Sequence, residues 1–482
     1  MTLLPSFSFR RACASLLTLV AAQAFAAEAL LVKNATLITM QPGAEAPYVG
    51  YMTVGADGRI TAVAAGAPPA SVTADQTIDA AGKFVAPGFV SSHSHLGNAG
   101  LRGLGHTETL YPWGVITSRF HAHSRAEDMY WFSLAGAHEF VRNGITTVFD
   151  FTRAAPSAAA GSPELFADNQ IRGKIDGGIR FINAIPLPAS GTRDDMVAHF
   201  EKAIARAKTA HGTNPLFLKM AVSGGVQRAA SKDFAFHEAH LMKHFGLMNQ
   251  SHFLESPERI EEQQSRFAWY VEAGALSPDF IFGHFIHTTP EMIATTAKAG
   301  ASMSWQPLSN GRLASGIVDV PAYRAAGLKI GIGLDSNTCT DTCDPFGNMH
   351  VGLSLIRAKY TDAKAMSVRE VLHLHTLGAA EILQIADQVG SLAPGKFADF
   401  LIVDPRRPYT GPVHDPIAHY VLTCGLRNLE SVYIGGKLVA SGPTLVAQDE
   451  TKVHAEVDAR IARLVALAEI EEKRIPAITA RE

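Results

Sequence analysis

Residues 84–98 read FVAPGFVSSHSHLGN, an apolar run that ends in His93-Ser94-His95. The run reads as a β-strand, and side chains at i and i+2 point to the same face of a strand, about 7 Å apart along the backbone. Two imidazoles side by side at a strand end form a metal-chelating arrangement. An isolated H-x-H tripeptide favours the plainer reading of two solvated polar residues, so the rest of the chain has to supply the remaining ligands.

The central region supplies strands to match. Eight short runs, most of them with β-branched or aromatic residues, alternate with longer amphipathic stretches: GFVSSHSH, GITTVFDF, IRFINAI, LFLKMAVS, GLMNQSH, FIFGH, ASMSW and LKIGIGLD. Eight is the number a closed parallel barrel requires, and barrel enzymes carry their chemistry at the C-terminal ends of the strands. The first run ends in His93 and His95, the fifth in His252, the sixth in His284 and the eighth in Asp335. Each follows apolar residues that would otherwise bury a polar group at a cost. Together they predict a metal site. Imidazoles with one aspartate suit Zn²⁺, the default, or Fe²⁺, rather than Mg²⁺ or Ca²⁺. Glu255, in SHFLESPE, follows His252 by three residues and could face the open coordination position without being a ligand. The lesser alternative is a first-turn acid that complements a helix dipole.

Short alternating segments flank this region on both sides. ALLVKNATLITM, GYMTVGADGRITAVAAG and QTIDAAGKFVAPGF precede it, and GSLAPGKFADFLIVD and LESVYIGGKLVASG follow it. They read as antiparallel strands and hairpins of one small β-sandwich built from both ends of the chain. Among the helical segments, SPERIEEQQSRFAWYVEAG opens with Ser256-Pro257, the pattern of an N-cap followed by Pro at the first helical position. TKVHAEVDARIARLVALAEIEEK reads as a surface helix.

The N-terminus departs from the rest. A basic pair, Arg10-Arg11, precedes an apolar segment and then Ala24-Phe25-Ala26. This is the layout of a signal peptide cleaved after Ala26, with an apolar core too short to span a bilayer comfortably, and it implies a periplasmic or secreted protein with no membrane attachment after processing. Both general and twin-arginine export remain open. The expected organisation is a signal peptide over 1–26, sandwich over 27–87, barrel over 88–388, sandwich over 389–450, and a C-terminal helix and tail over 451–482. A formal net charge of −3 without long runs of one sign offers no footprint for nucleic acid or an anionic membrane, which leaves a small molecule as the partner. Homo-oligomerisation is left open. Beyond Cys13 the cysteines are Cys339, Cys343 and Cys424, which form no disulfide framework, although Cys339 and Cys343 are near enough in sequence for a bridge to be one of two open states.

The whole set of motifs resembles the amidohydrolase superfamily, in the branch that contains cytosine and guanine deaminases and triazine hydrolases. VAPGFVSSHSHL is similar to that family's V-x-P-G-F-x-x-x-H-x-H entry segment, and LRG followed by YPW to its first active-site loop. SHFLES resembles its H-x-x-E, GHFIH its sixth-strand histidine, PLSNGRL its seventh-strand Ser-Asn segment, GLDS its metal-binding aspartate, and LAPGKFADFLIVD its return into the sandwich. The resemblance implies a (β/α)8 TIM-type barrel in which His93, His95, His252 and Asp335 hold one divalent metal, with His284 as a further ligand or as a hydrogen-bond partner of substrate. It also implies catalysis by Glu255, Asp335 and His284: hydrolysis of a non-peptide C–N bond through metal-activated water, Glu255 shuttling protons to the leaving group and Asp335 orienting the water.

One segment departs from that branch. Where many of its deaminases carry a histidine after the fourth strand, this chain has LFLKMAVSGGVQR, whose Lys219 resembles the carbamylated lysine that bridges two metals in prolidase-like amidohydrolases. A binuclear amidase or dipeptidase is therefore the alternative, and a catalytically dead scaffold a third. Phe151, Phe253, Phe285, Trp113 and Trp305 fall near strand ends or in the entry loop and could wall a pocket for a cyclic or aromatic substrate. They could equally be packing.

Overall fold

The computed structural model describes residues 28–468, apart from 45, 158–159, 408 and 447. The expected signal segment with its cleavage site, and the tail beyond residue 468, lie outside the described residues. Among these, no helix is long and apolar enough to cross a membrane.

Eight parallel strands form the centre: Phe89–Ser94, Ile145–Phe151, Arg180–Pro186, Phe217–Gly224, Asn249–Phe253, Phe280–His284, Ser302–Trp305 and Lys329–Ile332, each hydrogen-bonded to the next in chain order. The second, sixth and seventh are buried along their whole length, as expected of strands covered on both faces. The ring closes beyond the last strand. Asp335 bridges to Ser94, its N–H donates to the His93 carbonyl at 2.9 Å, and the Leu334 N–H donates to Ser91 Oγ at 2.9 Å. The two ends of the chain's metal-binding pattern are thus joined by the same bonds that close the barrel.

A second, nine-stranded sheet takes Glu28–Leu37, Tyr48–Val54, Ile60–Ala65, Ala74–Asp79 and Phe84–Pro87 from the front of the chain. Its remaining strands, Phe400–Val403, Leu429–Ile434, Lys437–Ser441 and Thr444–Leu445, come from the back. Phe84–Pro87 pairs antiparallel with Phe400–Val403 and so stitches the two halves together. The sheet is mixed, not wholly antiparallel: Glu28–Leu37 pairs parallel with both Ala74–Asp79 and Phe84–Pro87. The strand Tyr48–Val54 pairs antiparallel on one edge of that first strand, and the chain crosses over so that both later strands run along its other edge in its own direction. The sheet forks there and wraps a core of its own, with Leu30, Val32, Met52, Val54, Ile60, Val85, Phe400 and Ile402 inside. Asp399 locks it to the barrel, receiving two hydrogen bonds from Arg180, Nε at 2.6 Å and Nη2 at 3.1 Å, in a buried, forked pair.

The helix expected from Ser256-Pro257 begins later. It spans Ile260–Glu272, and its N-cap is Arg259 in the left-handed conformation, φ 56°. Ser256 is buried and turns its hydroxyl to Glu258, accepting from the Glu258 N–H at 3.2 Å, so the Ser-Pro pair belongs to the active-site loop and not to the helix. The C-terminal helix Glu450–Ala468 buries Val453, Val457 and Leu464 against Leu101, Phe120 and Met129. It seats the loop that follows the first strand: Gly100 adopts φ +95°, which disfavours any side chain, and a Cβ there would press on Ile461 Cδ1 at 2.4 Å. Cys339 and Cys343 are both buried and unbridged, because they serve different packing clusters, Cys339 with Leu110, Trp113 and Leu313, Cys343 in the main barrel core.

Candidate functional site

Strand periodicity decides which residues enter the barrel mouth. On Asn249–Phe253, Gln250 and His252 face inward, whereas Ser251 accepts a hydrogen bond from Tyr270 on the outer helix at 2.6 Å and Phe253 packs in the outer core. His93 and His95 meet them from the first strand: the rings of His93 and His252 lie 4.5 Å apart, and His95 Nε2 is 3.0 Å from His252 Nε2. Asp335 Oδ1 lies 3.5 Å from His95 Nε2 and 3.9 Å from His93 Nε2. His284 and Glu255 complete the ring of donors, Nε2 to Oε2 at 3.5 Å. The barrel therefore brings His93, His95, His252, His284, Asp335 and Glu255 to one place.

Backbone strain helps to bring them there. His284 and Asp335 both adopt φ 67°, and Leu254 adopts φ 54°. The left-handed region is costly for non-glycine residues, although Asp and His tolerate it better than most, and such strain gathers at functional sites. At Leu254 the kink is held by burial and by the N–H groups of Ile286 and His287, which donate to its carbonyl at 2.9 and 3.2 Å. The turn at Leu254 interrupts the strand and swings Glu255 back into the mouth.

Electrostatics fit a divalent cation at the centre. Burial pushes the His93 imidazole down to about 3 and holds His95, His252 and His284 well below the usual histidine range, so all four are neutral. Burial likewise raises the Asp335 carboxyl to about 6, against the hydrogen bond from Ser309, and raises Glu255 well above the carboxylate range, with the Asp335 charge adding to the effect. The Nε2 atoms of His93 and His284 are buried without any hydrogen-bond partner. Orphaned lone pairs converging with two costly carboxylates are what a metal satisfies. Ligand atoms of His93, His252 and His284, of His93, His95 and Asp335, and of Glu255, His284 and Asp335 lie within 4.8 Å of one another in each set.

An outer layer orients these groups, of which the motifs named only the Ser309-Asn310 segment and gave it no role. Gln250 Oε1 takes His93 Nδ1 at 2.5 Å while its amide nitrogen donates to the Ser92 carbonyl at 2.8 Å, which turns His93 Nε2 into the cluster. Ser309 donates to Asp335 Oδ2 at 2.6 Å, leaving Oδ1 for the cluster, and the Asn310 amide sits 2.8 Å from His284 Nδ1. The loop after His95 is pinned by the Leu96 N–H, which donates to Asp150 at 2.8 Å, and Asp150 is in turn paired with the fully buried Lys174 at 2.7 Å. Gln250 was within reach of sequence reasoning, since it precedes His252 by two residues on the same strand face. Gln250→Leu is expected to keep the fold and to lower metal affinity by about 10–100-fold, the usual worth of such a partner, read by titration of the metal-free protein.

The cavity above the cluster measures about 420 Å³ and is lined by Trp113, Phe151, Arg153, Gly225, Gln227 and Arg228, with His95, His252, His284, Glu255 and Asp335 at its floor. Of the five candidate wall aromatics only Trp113 and Phe151 line it; Phe151 stacks on His95 at 4.9 Å and 21°. Phe253, Phe285 and Trp305 are core: alternation sends Phe253 and Trp305 to the outer face, whereas Phe285, just beyond the end of its strand at φ 47°, is turned there by the left-handed backbone and stacks on Phe282 at 4.2 Å. Lys219 is remote from the cluster. It lies near the start of its strand, four residues before the cavity-lining Ser223, hence about 13 Å down the barrel, and its charged neighbours there are Asp279 and Asp387.

Residues 84–439 match the model of the amidohydrolase family. The chain belongs to that family. The amidohydrolase is 26% identical over 452 residues to a 5-methylthioadenosine/S-adenosylhomocysteine deaminase of Desulforudis audaxviator, covering 90% of this chain and 99% of the relative. It is 27% identical over 432 residues to an enzyme of the same name from Bacillus cereus, covering 87% and 96%. Its fold is shared with a zinc-bound adenosine deaminase from Xanthomonas campestris, TM-score 0.80 at 22% identity over 91% of this chain and 99% of that one. It is also shared with the atrazine chlorohydrolase of Arthrobacter aurescens TC1 complexed with zinc, TM-score 0.76 at 21% identity over 90% and 100%.

Proposed function

We propose that this amidohydrolase is a mononuclear zinc enzyme that releases ammonia or an amine from a small cyclic or aromatic substrate by hydrolysing a non-peptide C–N bond. The observation that carries the reading is the convergence of four neutral histidines and two buried carboxylates under one cavity. His93, His95, His252 and Asp335 would hold the metal, with His284 beside it; a nitrogen-rich set with one carboxylate suits zinc. A metal bound there supplies Lewis acidity and makes water a competent nucleophile at neutral pH. The chain does the remaining work. Glu255, buried and not needed as a ligand, takes a proton from water at Oε2 and delivers it to the leaving nitrogen. His284, oriented through Nδ1 by Asn310, presents Nε2 to the substrate. Phe151 and Trp113 provide flat apolar walls that suit a ring and exclude bulk water.

The deaminase names of the sequence relatives support ammonia as the product. The distance of Lys219 from the cluster supports one metal over two. The test is elemental analysis combined with a screen of amino-heterocycles, N-acyl amino acids and carbamates for ammonia or amine release. About one zinc per chain, kept in Lys219→Ala, with turnover of at least one amino-heterocycle, is the expected result. Two metals per chain that fall to one or none in Lys219→Ala would move the assignment to the binuclear amidases.

A further inference from the structure

The cavity wall carries two arginines that the chemistry above does not use. Arg153 follows the second barrel strand, and its Nε donates to Asn98 Oδ1 at 2.9 Å. Asn98 is itself buried and held at 3.1 Å by His121 Nε2, so the Arg153 guanidinium is fixed in orientation. Its two terminal nitrogens have no hydrogen-bond or ion-pair partner among the described residues. Arg228 reaches the cavity from the short turn Val226–Arg228 after the fourth strand. That turn is anchored by buried Glu238, which accepts from the Gly225 N–H at 2.8 Å and from Asn249 Nδ2 at 2.7 Å. The Arg228 guanidinium lies over the Tyr111 ring at 6.0 Å, and an added Cβ on Gly114 would stand 3.8 Å from its Nη2. It too makes no ion pair among the described residues.

Two like charges thus face one cavity, and neither is ion-paired with a carboxylate among the described residues. They repel each other, and burial together with the Arg228 charge pushes Arg153 down to about 10. Glu255 at the floor feels the Arg228 charge, which works against the burial that raises its carboxyl, but no carboxylate lies within ion-pair distance of either guanidinium among the described residues. A dication among the histidines would offset those two acids and leave the upper cavity positive. The site that remains is a planar, immobilised guanidinium fork and a second, more exposed one, set in the wall above the metal cluster.

We propose that the substrate carries a carboxylate, which docks between Arg153 and Arg228 and sets the bond to be hydrolysed over the metal cluster. The inference rests on the C–N hydrolase reading and narrows it to acidic substrates, such as amino-heterocycle carboxylic acids. A carboxylate matches the flat fork of Arg153 with two parallel hydrogen bonds, whereas an ammonium in the same place would meet two cations. Arg153 and Arg228 are positioning residues: they select and orient the substrate without touching the reacting atoms.

The experiment titrates the zinc-loaded enzyme calorimetrically with 2-aminopyrimidine-5-carboxylate, its neutral carboxamide and the corresponding phosphonate, and follows ammonia release from each. The carboxylate is expected to bind at least about tenfold more tightly than the carboxamide, the worth of one charge-assisted forked pair. Arg153→Gln and Arg228→Gln should each erase most of that margin, at unchanged metal content and with carboxamide affinity held. Arg153→Lys, which keeps the charge and loses the fork, should fall between wild type and Arg153→Gln; Arg228→Gln, at an exposed position, guards against a folding defect at Arg153. Equal affinity for carboxylate and carboxamide overturns the proposal. So does a carboxylate preference that survives in the double variant, because the anion is then on the metal, and so does tighter binding of the phosphonate. The two readings fail separately. Ammonia release that is indifferent to the carboxylate and to both arginines leaves the hydrolase reading standing and this one refuted, whereas arginine-dependent carboxylate binding with no C–N turnover in the wider screen does the reverse.

Discussion

His93→Ala and His252→Ala are expected to purify folded but without bound metal, and to show no turnover above background. Each substitution removes an imidazole whose Nε2 faces the centre of the cluster, and each leaves its remaining neighbours less able to share a cation. The effect should exceed the 10–100-fold expected for Gln250, which only orients His93, because a ligand contributes a bond and an outer partner contributes its direction. His95→Ala and Asp335→Ala belong to the same group. Asp335 also closes the barrel, but it does so through its backbone N–H to the His93 carbonyl, which alanine retains, so loss of metal can be separated from loss of fold. Elemental analysis beside circular dichroism decides the matter. Near-full metal occupancy in any two of these four variants would mean that the cation sits elsewhere.

The second large effect is expected at Glu255. Glu255→Gln keeps the size and the hydrogen-bonding capacity of the side chain but cannot take up a proton. It should leave metal content near that of the wild type while lowering kcat by about 10²–10⁴-fold, the usual contribution of a general acid–base group, with KM changed far less. The alternative of a helix-dipole acid loses its footing in the structure, since the helix starts at Ile260 behind an Arg259 cap and Glu255 lies buried in the mouth of the barrel. Its position 3.5 Å from His284 Nε2, at the edge of the donor ring, is that of a group facing the reacting atoms. A variant that binds metal and turns over within a few-fold of wild type would hand the proton transfer to His284 or Asp335, the other titratable groups at the floor.

The amino-acid sequence by itself determined the barrel, its eight strands and the placing of five metal-site candidates at their ends. It could do so because these features are local: a two-residue period puts His93 and His95 on one face, and apolar flanks mark strand ends without reference to any other segment. Only the tertiary structure decided what depends on depth and on partners. Lys219 and Ser223 belong to one strand, and the sequence does not say that one sits at the foot of the barrel while the other lines its mouth. Phe253 and Phe285 adjoin site histidines in sequence yet turn into the outer core, Phe253 because adjacent residues on a strand face opposite ways, and Phe285 because the backbone turns left-handed at His284 and Phe285. The parallel pairing of the first sandwich strand depended on the crossover that returns the chain along its other edge, a long-range contact that no local pattern encodes. Ser309, Asn310 and Gln250 acquired their roles, and Arg153 and Arg228 their shared cavity, only when barrel closure brought segments far apart in the chain within hydrogen-bond range or into one space. Side-chain direction along a strand is a local property of the backbone, whereas the identity of the group it meets is a property of the closed barrel.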